Sequence, residues 1–123
     1  MKLATFAAGP APQLGAVVDD RIVPLNSADP GLPADMIGLI AAWPEVAAEV
    51  CAIAAAGAGA RPLDKVRLLA PIRRPGKIMA IGLNYADHIA ESGLGTPEHQ
   101  VWFSKASSAA NGPYDPIQAP KVS

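Results

Sequence analysis

"KIMAIGLNYADHIAESG", Lys77 to Gly93, opens as a continuous apolar run and breaks at Gly82, after which Asn84, Tyr85, Asp87, His88 and Glu91 arrive in quick succession. The run before the break reads as a strand buried on both faces. The polar segment after it reads as a helix, with Asn84 as N-cap and Asp87 in the first turn, where the helix dipole favours a carboxylate. Strand, glycine, helix is the expected layout. On such a helix residues three apart share a face, so Tyr85 neighbours His88, and His88 neighbours Glu91. A carboxylate beside an imidazole fixes its tautomer and favours its protonated form, which suits a base that takes a proton from water. The same spacing also fits a solvated pair of the kind surface helices carry routinely. Gly82 is open to two readings, a turn residue or a place where a ligand approaches the backbone.

Downstream, "VWFSKAS" is strand-like, and a period of two puts Trp102 and Ser104 on one face and Phe103 and Lys105 on the other. Lys105 then either caps a strand end at the surface or reaches an anionic group in a pocket. His99, in "TPEHQ", reads as a solvated loop residue, and "NGPYDPIQAPKVS" as a proline-rich loop.

Upstream, "KLATFAA", "LGAVVDD" and "RIVPLN" are β-prone runs, with Asp19 and Asp20 where a tight hairpin would turn. They predict a three-stranded meander. "NSADPGLP" is dense in turn formers, and "ADMIGLIAAW" sets Met36, Ile37, Ile40 and Ala41 on one helical face. Pro44 suits the first turn of a further helix that Gly57 and Gly59 end. "ARPLDKVRLLAPIRRPG", punctuated by three prolines, reads as a connection. A boundary near residue 75 follows, giving a small N-terminal domain of β-meander plus helices over 1–75 and a second module over 76–123. The fold class expected is α+β, rich in β.

The chain has 123 residues, enough to bury about two-thirds of the surface its unfolded form exposes. With 17% charged residues, and 10 basic side chains against 11 acidic ones, it carries no signature of disorder or of nucleic acid or anionic membrane as partner. Its one cysteine, Cys51, lies among alanines and reads as a small buried hydrophobe. No run is long enough to span a bilayer, and no full signal peptide is present, which makes a reducing, cytoplasmic setting the expectation. GxxxxGK[ST], HExxH, GxSxG and CxxC patterns are absent, so the commonest sequence-readable phosphate, zinc and acyl-transfer sites are excluded.

Taken in order, Gly82, Asn84, Tyr85, His88 and Glu91, then Phe103 and Lys105, then Gly112, Pro113, Asp115 and Pro116 resemble the fumarylacetoacetate hydrolase family. That family opens its catalytic domain with a strand, G-x-N-Y-x-x-H-x-x-E, an apolar run ending in F-x-K, and a G-P-x-D-P-type loop. The resemblance implies a mixed β-sandwich roll, begun here and incomplete in this chain. It also implies a homodimeric enzyme that uses Mg²⁺ or Mn²⁺, with Ca²⁺ as an alternative, on small 2-oxo or enol acids. Carried over, His88 is the general base and Glu91 its orienting carboxylate, while Tyr85, Lys105 and Asn84 contact substrate. The function implied is hydrolysis of a C–C bond in 2,4-dioxo, acylpyruvate-like acids such as fumarylpyruvate. An isomerase or decarboxylase of hydroxymuconate type and a ureidoglycolate lyase-like enzyme are the alternatives on the same scaffold.

The family's metal ligands are acidic and include an E-x-E pair, which this sequence lacks. A hard cation needs several oxygen ligands in one place, and Asp87, Glu91, Glu98 and Asp115 are not spaced to supply them alone. The metal ligands are therefore expected after Ser123, with none in this chain, and the isolated 123 residues are expected to be inactive. Some members carry arginine where Leu83 stands here, so contacts to a substrate carboxylate are expected to differ.

Overall fold

The computed structural model describes residues 1–119 and 121. Contacts divide the chain into two compact units: Met1–Arg73 with the segment from Asn111 onward, and Arg74–Ala110. The fold is α+β, with a four-stranded and a two-stranded sheet.

The first unit is built on the expected meander. Strands β1 (Lys2–Ala8), β2 (Ala11–Val18) and β3 (Arg21–Pro24) pair antiparallel in sequence order. Asp19, with φ +51°, makes the second turn in the left-handed region that aspartate tolerates better than most residues. A fourth strand, β4 (Arg61–Pro62), adds to β3 from within the stretch read as a connection.

Period two splits the side chains of β2 between the faces of the sheet. Leu14 and Ala16 join Val23 on the face that meets the helices. On the other, Gly15 lies so close to Ile22 that a Cβ there would collide with its side chain at Cγ1, and would press on Phe6 at 3.1 Å. Phe6, Leu14, Ala16 and Ile22 are fully buried. The third run ends earlier than "RIVPLN" suggested. Pro24 holds the extended conformation that precedes a helix, and α1 (Leu25–Ala28) turns at once. There Asn26 accepts a hydrogen bond from the Leu14 amide at 3.3 Å and donates to the carbonyls of Leu32 and Pro33 at 3.2 and 3.0 Å. That one side chain ties the turn-rich segment to the sheet.

Helix α2 (Met36–Ala41) starts at Asp35, whose carboxylate accepts from the Gly38 amide at 3.0 Å, a side-chain N-cap. Its buried face is not the expected one: Met36 and Leu39 are buried, whereas Ile37 and Ile40 are exposed. Both sets have helical spacing, and only the position of the sheet chooses between them. Helix α3 (Trp43–Ala56) has Pro44 in its first turn and ends at Gly57 with φ +65°, as read. It packs Val50, Ile53 and Ala54 onto the sheet. Cys51 is exposed, not buried, because it falls between those positions on the outer face.

In the second unit β5 (Ile78–Gly82) and β6 (Val101–Lys105) form a two-stranded antiparallel ribbon, with Gly82 opposite Val101 and Ile78 opposite Lys105. Helix α4 (Ala86–Ser92) lies between them in sequence and ends at Gly93, φ +68°. β5 is not buried on both faces, since Met79 is 52% exposed and the other residues are only partly covered. A continuous apolar run says that cover is needed, and a ribbon of two strands cannot supply it. No helix among the described residues is long and apolar enough to cross a membrane.

Candidate functional site

The polar segment after β5 begins with a backbone turn. Leu83, not Gly82, carries the left-handed conformation, with φ +51°. For a residue with a Cβ that costs about 1–3 kcal/mol and persists only where the surroundings hold it. Gly82 is less constrained than its place at the break suggested. A Cβ there would meet Phe103 and Val101 at 3.7 Å, an ordinary contact.

Asn84 does not cap the helix. Tyr85 occupies the N-cap position, makes no side-chain capping bond and is 73% exposed. With an extended backbone and no cap oxygen at Tyr85, the first turn of α4 has Asp87 as its acidic residue, as the helix dipole favours. At the other end the Ser92 hydroxyl donates to the Ile89 carbonyl at 2.8 Å and accepts from the Leu94 amide at 3.3 Å, which closes the helix as Gly93 turns it.

His88 and Glu91 both lie on α4, three residues apart, and both are exposed. Among the described residues neither side chain forms a hydrogen bond or ion pair, with the other or with anything else. The helix sets the two groups on adjoining positions and leaves both free to meet a third. Lys105 ends β6 with its ammonium 5.9 Å from the centre of the Phe103 ring, on the face that the period of two assigned to both. In this chain Lys105 occupies an exposed strand end.

A shallow cleft of about 220 Å³ opens beside the end of β5. Gly82, Leu83 and Asn84 form one side of it, and the segment leading into β6, with Glu98, His99 and Gln100, forms the other. Asn84 thus shares the cleft with a histidine that reads from sequence as an ordinary loop residue. The only signal for His99 was its polar company just before a strand. Tyr85, His88, Glu91 and Lys105 do not line this cleft.

The described residues contain no group of three His, Cys, Asp or Glu side chains able to hold a metal ion. Asp115 is also engaged elsewhere: the guanidinium of Arg67 donates to its Oδ1 from Nε at 3.0 Å and from Nη2 at 2.8 Å. The oxygen-rich set that a hard divalent cation requires is not assembled by these side chains.

No family model matches the chain. Oxaloacetate tautomerase Fahd2a, mitochondrial, of Rattus norvegicus is 38% identical over 102 residues, covering 83% of this chain and 33% of that protein. Fumarylacetoacetate hydrolase domain-containing protein 2 homolog of Dictyostelium discoideum is 34% identical over 128 residues, covering 98% of this chain and 41% of its own length. Among solved structures, maleylpyruvate hydrolase from Sphingobium sp. SYK-6, in complex with manganese(II) ion and pyruvate, superposes with a TM-score of 0.74 at 33% identity. That match takes in 99% of this chain and 43% of the hydrolase. The chain therefore spans well under half the length of each of these proteins.

Proposed function

This chain belongs to the fumarylacetoacetate hydrolase family, and we propose that it supplies the general base of an enzyme acting on small 2-oxo acids. The observation that carries the reading is the helix that follows the turn at Leu83: it holds His88 and Glu91 on one face, with neither group tied up by a neighbour. In this reading the His88 imidazole removes a proton from the carbon next to the substrate's keto group and returns it to the oxygen, converting keto form to enol. Glu91 holds the imidazole in the tautomer that can accept. The carboxylate and imidazolium then face each other while the proton is in transit, which favours the charged intermediate state of the pair. Asn84, Tyr85 and Lys105 contact the substrate, Lys105 as the cation for its carboxylate.

Tautomerisation of oxaloacetate is the first reading, because it needs only this proton transfer and because oxaloacetate tautomerases are among the relatives. Hydrolysis of an acylpyruvate is the second, favoured by the likeness to a maleylpyruvate hydrolase. There His88 takes the proton from water, hydroxide adds to the carbonyl carbon, and the C–C bond breaks to leave an enolate. Divalent-metal dependence, with Mg²⁺ or Mn²⁺, and a homodimer belong to the reading. The described residues do not assemble a ligand set, so the share assigned to this chain is the base and the substrate contacts. Residues 1–75 act as the small N-terminal domain and 76–123 open the catalytic one.

Turnover of oxaloacetate and of maleylpyruvate by the protein that carries this chain, each with Mg²⁺, with Mn²⁺ and with a chelator, tests the proposal. Interconversion of oxaloacetate forms without C–C cleavage supports the first reading, and pyruvate release from maleylpyruvate supports the second. Inactivity on both substrates with either metal would sink the two together.

A further inference from the structure

The stretch 66–72, which reads as a connection, is zipped along the free edge of β1. The Ala7 amide donates to the Arg67 carbonyl at 2.9 Å, the Leu69 amide to the Thr5 carbonyl at 2.8 Å, and Phe6 and Leu68 form an antiparallel bridge. The Thr5 hydroxyl adds a bond to the Pro71 carbonyl at 2.8 Å. This edge pairing fixes the backbone of Arg67, whose side chain then reaches Asp115 through two donors that converge on one carboxylate oxygen. The loop around Asp115 is shaped to receive it. Asn111 Nδ2 donates to the carbonyls of Asp115 and Pro116, both at 3.2 Å, and the Asp115 amide donates to the Gly112 carbonyl at 3.2 Å. A Cβ at Gly112 would lie 2.6 Å from Asp115 Oδ2 and 3.2 Å from the Leu68 carbonyl, so the loop comes down on 66–72 only because glycine is there. An ion pair with one exposed partner holds little by itself. Here Asp115 is 21% exposed against 67% for Arg67, and the pair closes a loop that Asn111 and Gly112 already shape.

We propose that Arg67 is a positioning residue: acting through Asp115, it clasps the 111–116 loop to the N-terminal sheet and so fixes the conformation of the Gly112–Pro116 stretch. The N-terminal unit is on this account a working part of the enzyme. Only the kinetic arm of the test below rests on the function proposed above.

Arg67→Ala, Asp115→Asn, the double variant and the exchanged pair Arg67→Asp with Asp115→Arg are compared in the protein that carries this chain. Hydrogen exchange is read over 111–116 and over β1 to β3, and KM and kcat are measured on oxaloacetate. Each single variant is expected to speed exchange at the Asp115 amide about tenfold while β1 to β3 are unchanged. The double is expected to go no further than either single, and the exchanged pair to restore protection. KM rises severalfold with kcat within about twofold, as expected when placement and not chemistry is lost. Unchanged loop exchange in the singles, additive effects in the double, or faster exchange throughout β1 to β3 would each overturn the clasp. A freed loop with unaltered KM in an active enzyme would reduce Arg67 to a structural tie. Should the parent protein turn over no oxo acid, the functional reading fails by itself, and the exchange results still decide the clasp.

Discussion

In the N-terminal unit Phe6, Leu14, Ile22, Leu25 and Leu39 lose essentially all contact with water, whereas between Arg74 and Ala110 side chains of the same kind stay wet, Trp102 at 56% and Phe103 at 44% exposure. Both regions carry apolar strands. They differ in what covers them: a sheet of four strands against three helices encloses a core, and a ribbon of two strands with a seven-residue helix does not. The candidate chemistry lies in the second, open region, on groups that no local partner satisfies. Global stability is thus expected to answer to the first region and the proton-transfer step to the second.

The largest effect that could break this separation is on activity. His88→Ala should lower kcat of the protein that carries this chain by about 10²–10⁴-fold, the usual share of a general base, with the melting temperature unchanged. Parental kcat in that variant would remove the base from His88. Phe6→Ala should cost about 3–5 kcal/mol in denaturant titrations of the chain, through a cavity at a site that is wholly buried. A loss well below that range would mean the sheet collapses onto the gap, and the core is less closed than described. Gly15→Ala should cost about 1–3 kcal/mol, because its methyl must displace the Ile22 side chain on a filled face and crowd Phe6. Unaltered unfolding there would show that face to be loose. The smallest effect sharpens the contrast most. Trp102→Gln should change the stability of this chain by less than about 0.5 kcal/mol despite removing its largest type of side chain. A cost near that of Phe6→Ala would show that the ribbon has a core of its own.

Much of the N-terminal unit was legible because its rules are local. The β-prone runs around Asp19 and Asp20, Pro44 in a first turn and Gly57 past a last one each follow from backbone chemistry that neighbours do not overrule. The errors came where two local solutions were equally good. Met36, Ile37, Ile40 and Ala41 form an apolar stripe as acceptable as Met36 with Leu39, and Cys51 among alanines carries no mark of its facing. Asn84 is a better capping residue than Tyr85, yet the left-handed turn at Leu83 moves the start of α4 one position on. In the candidate site, the spacing of His88 and Glu91 was readable and their freedom from partners was not. Arg67 was invisible because its partner is 48 residues away.

What the sequence by itself determined is the three-strand meander, the helices around Met36 and Pro44, the strand, helix, strand order after residue 76 and the linked motif from Gly82 to Pro116, since these depend on residue type at short separation. Only the tertiary structure decided which helix face is buried, that the apparent connection at 66–72 completes a sheet edge, and that Asp115 answers to Arg67. Those outcomes depend on which distant segment arrives, and a free-energy difference between two similar apolar faces is settled by the surface they meet.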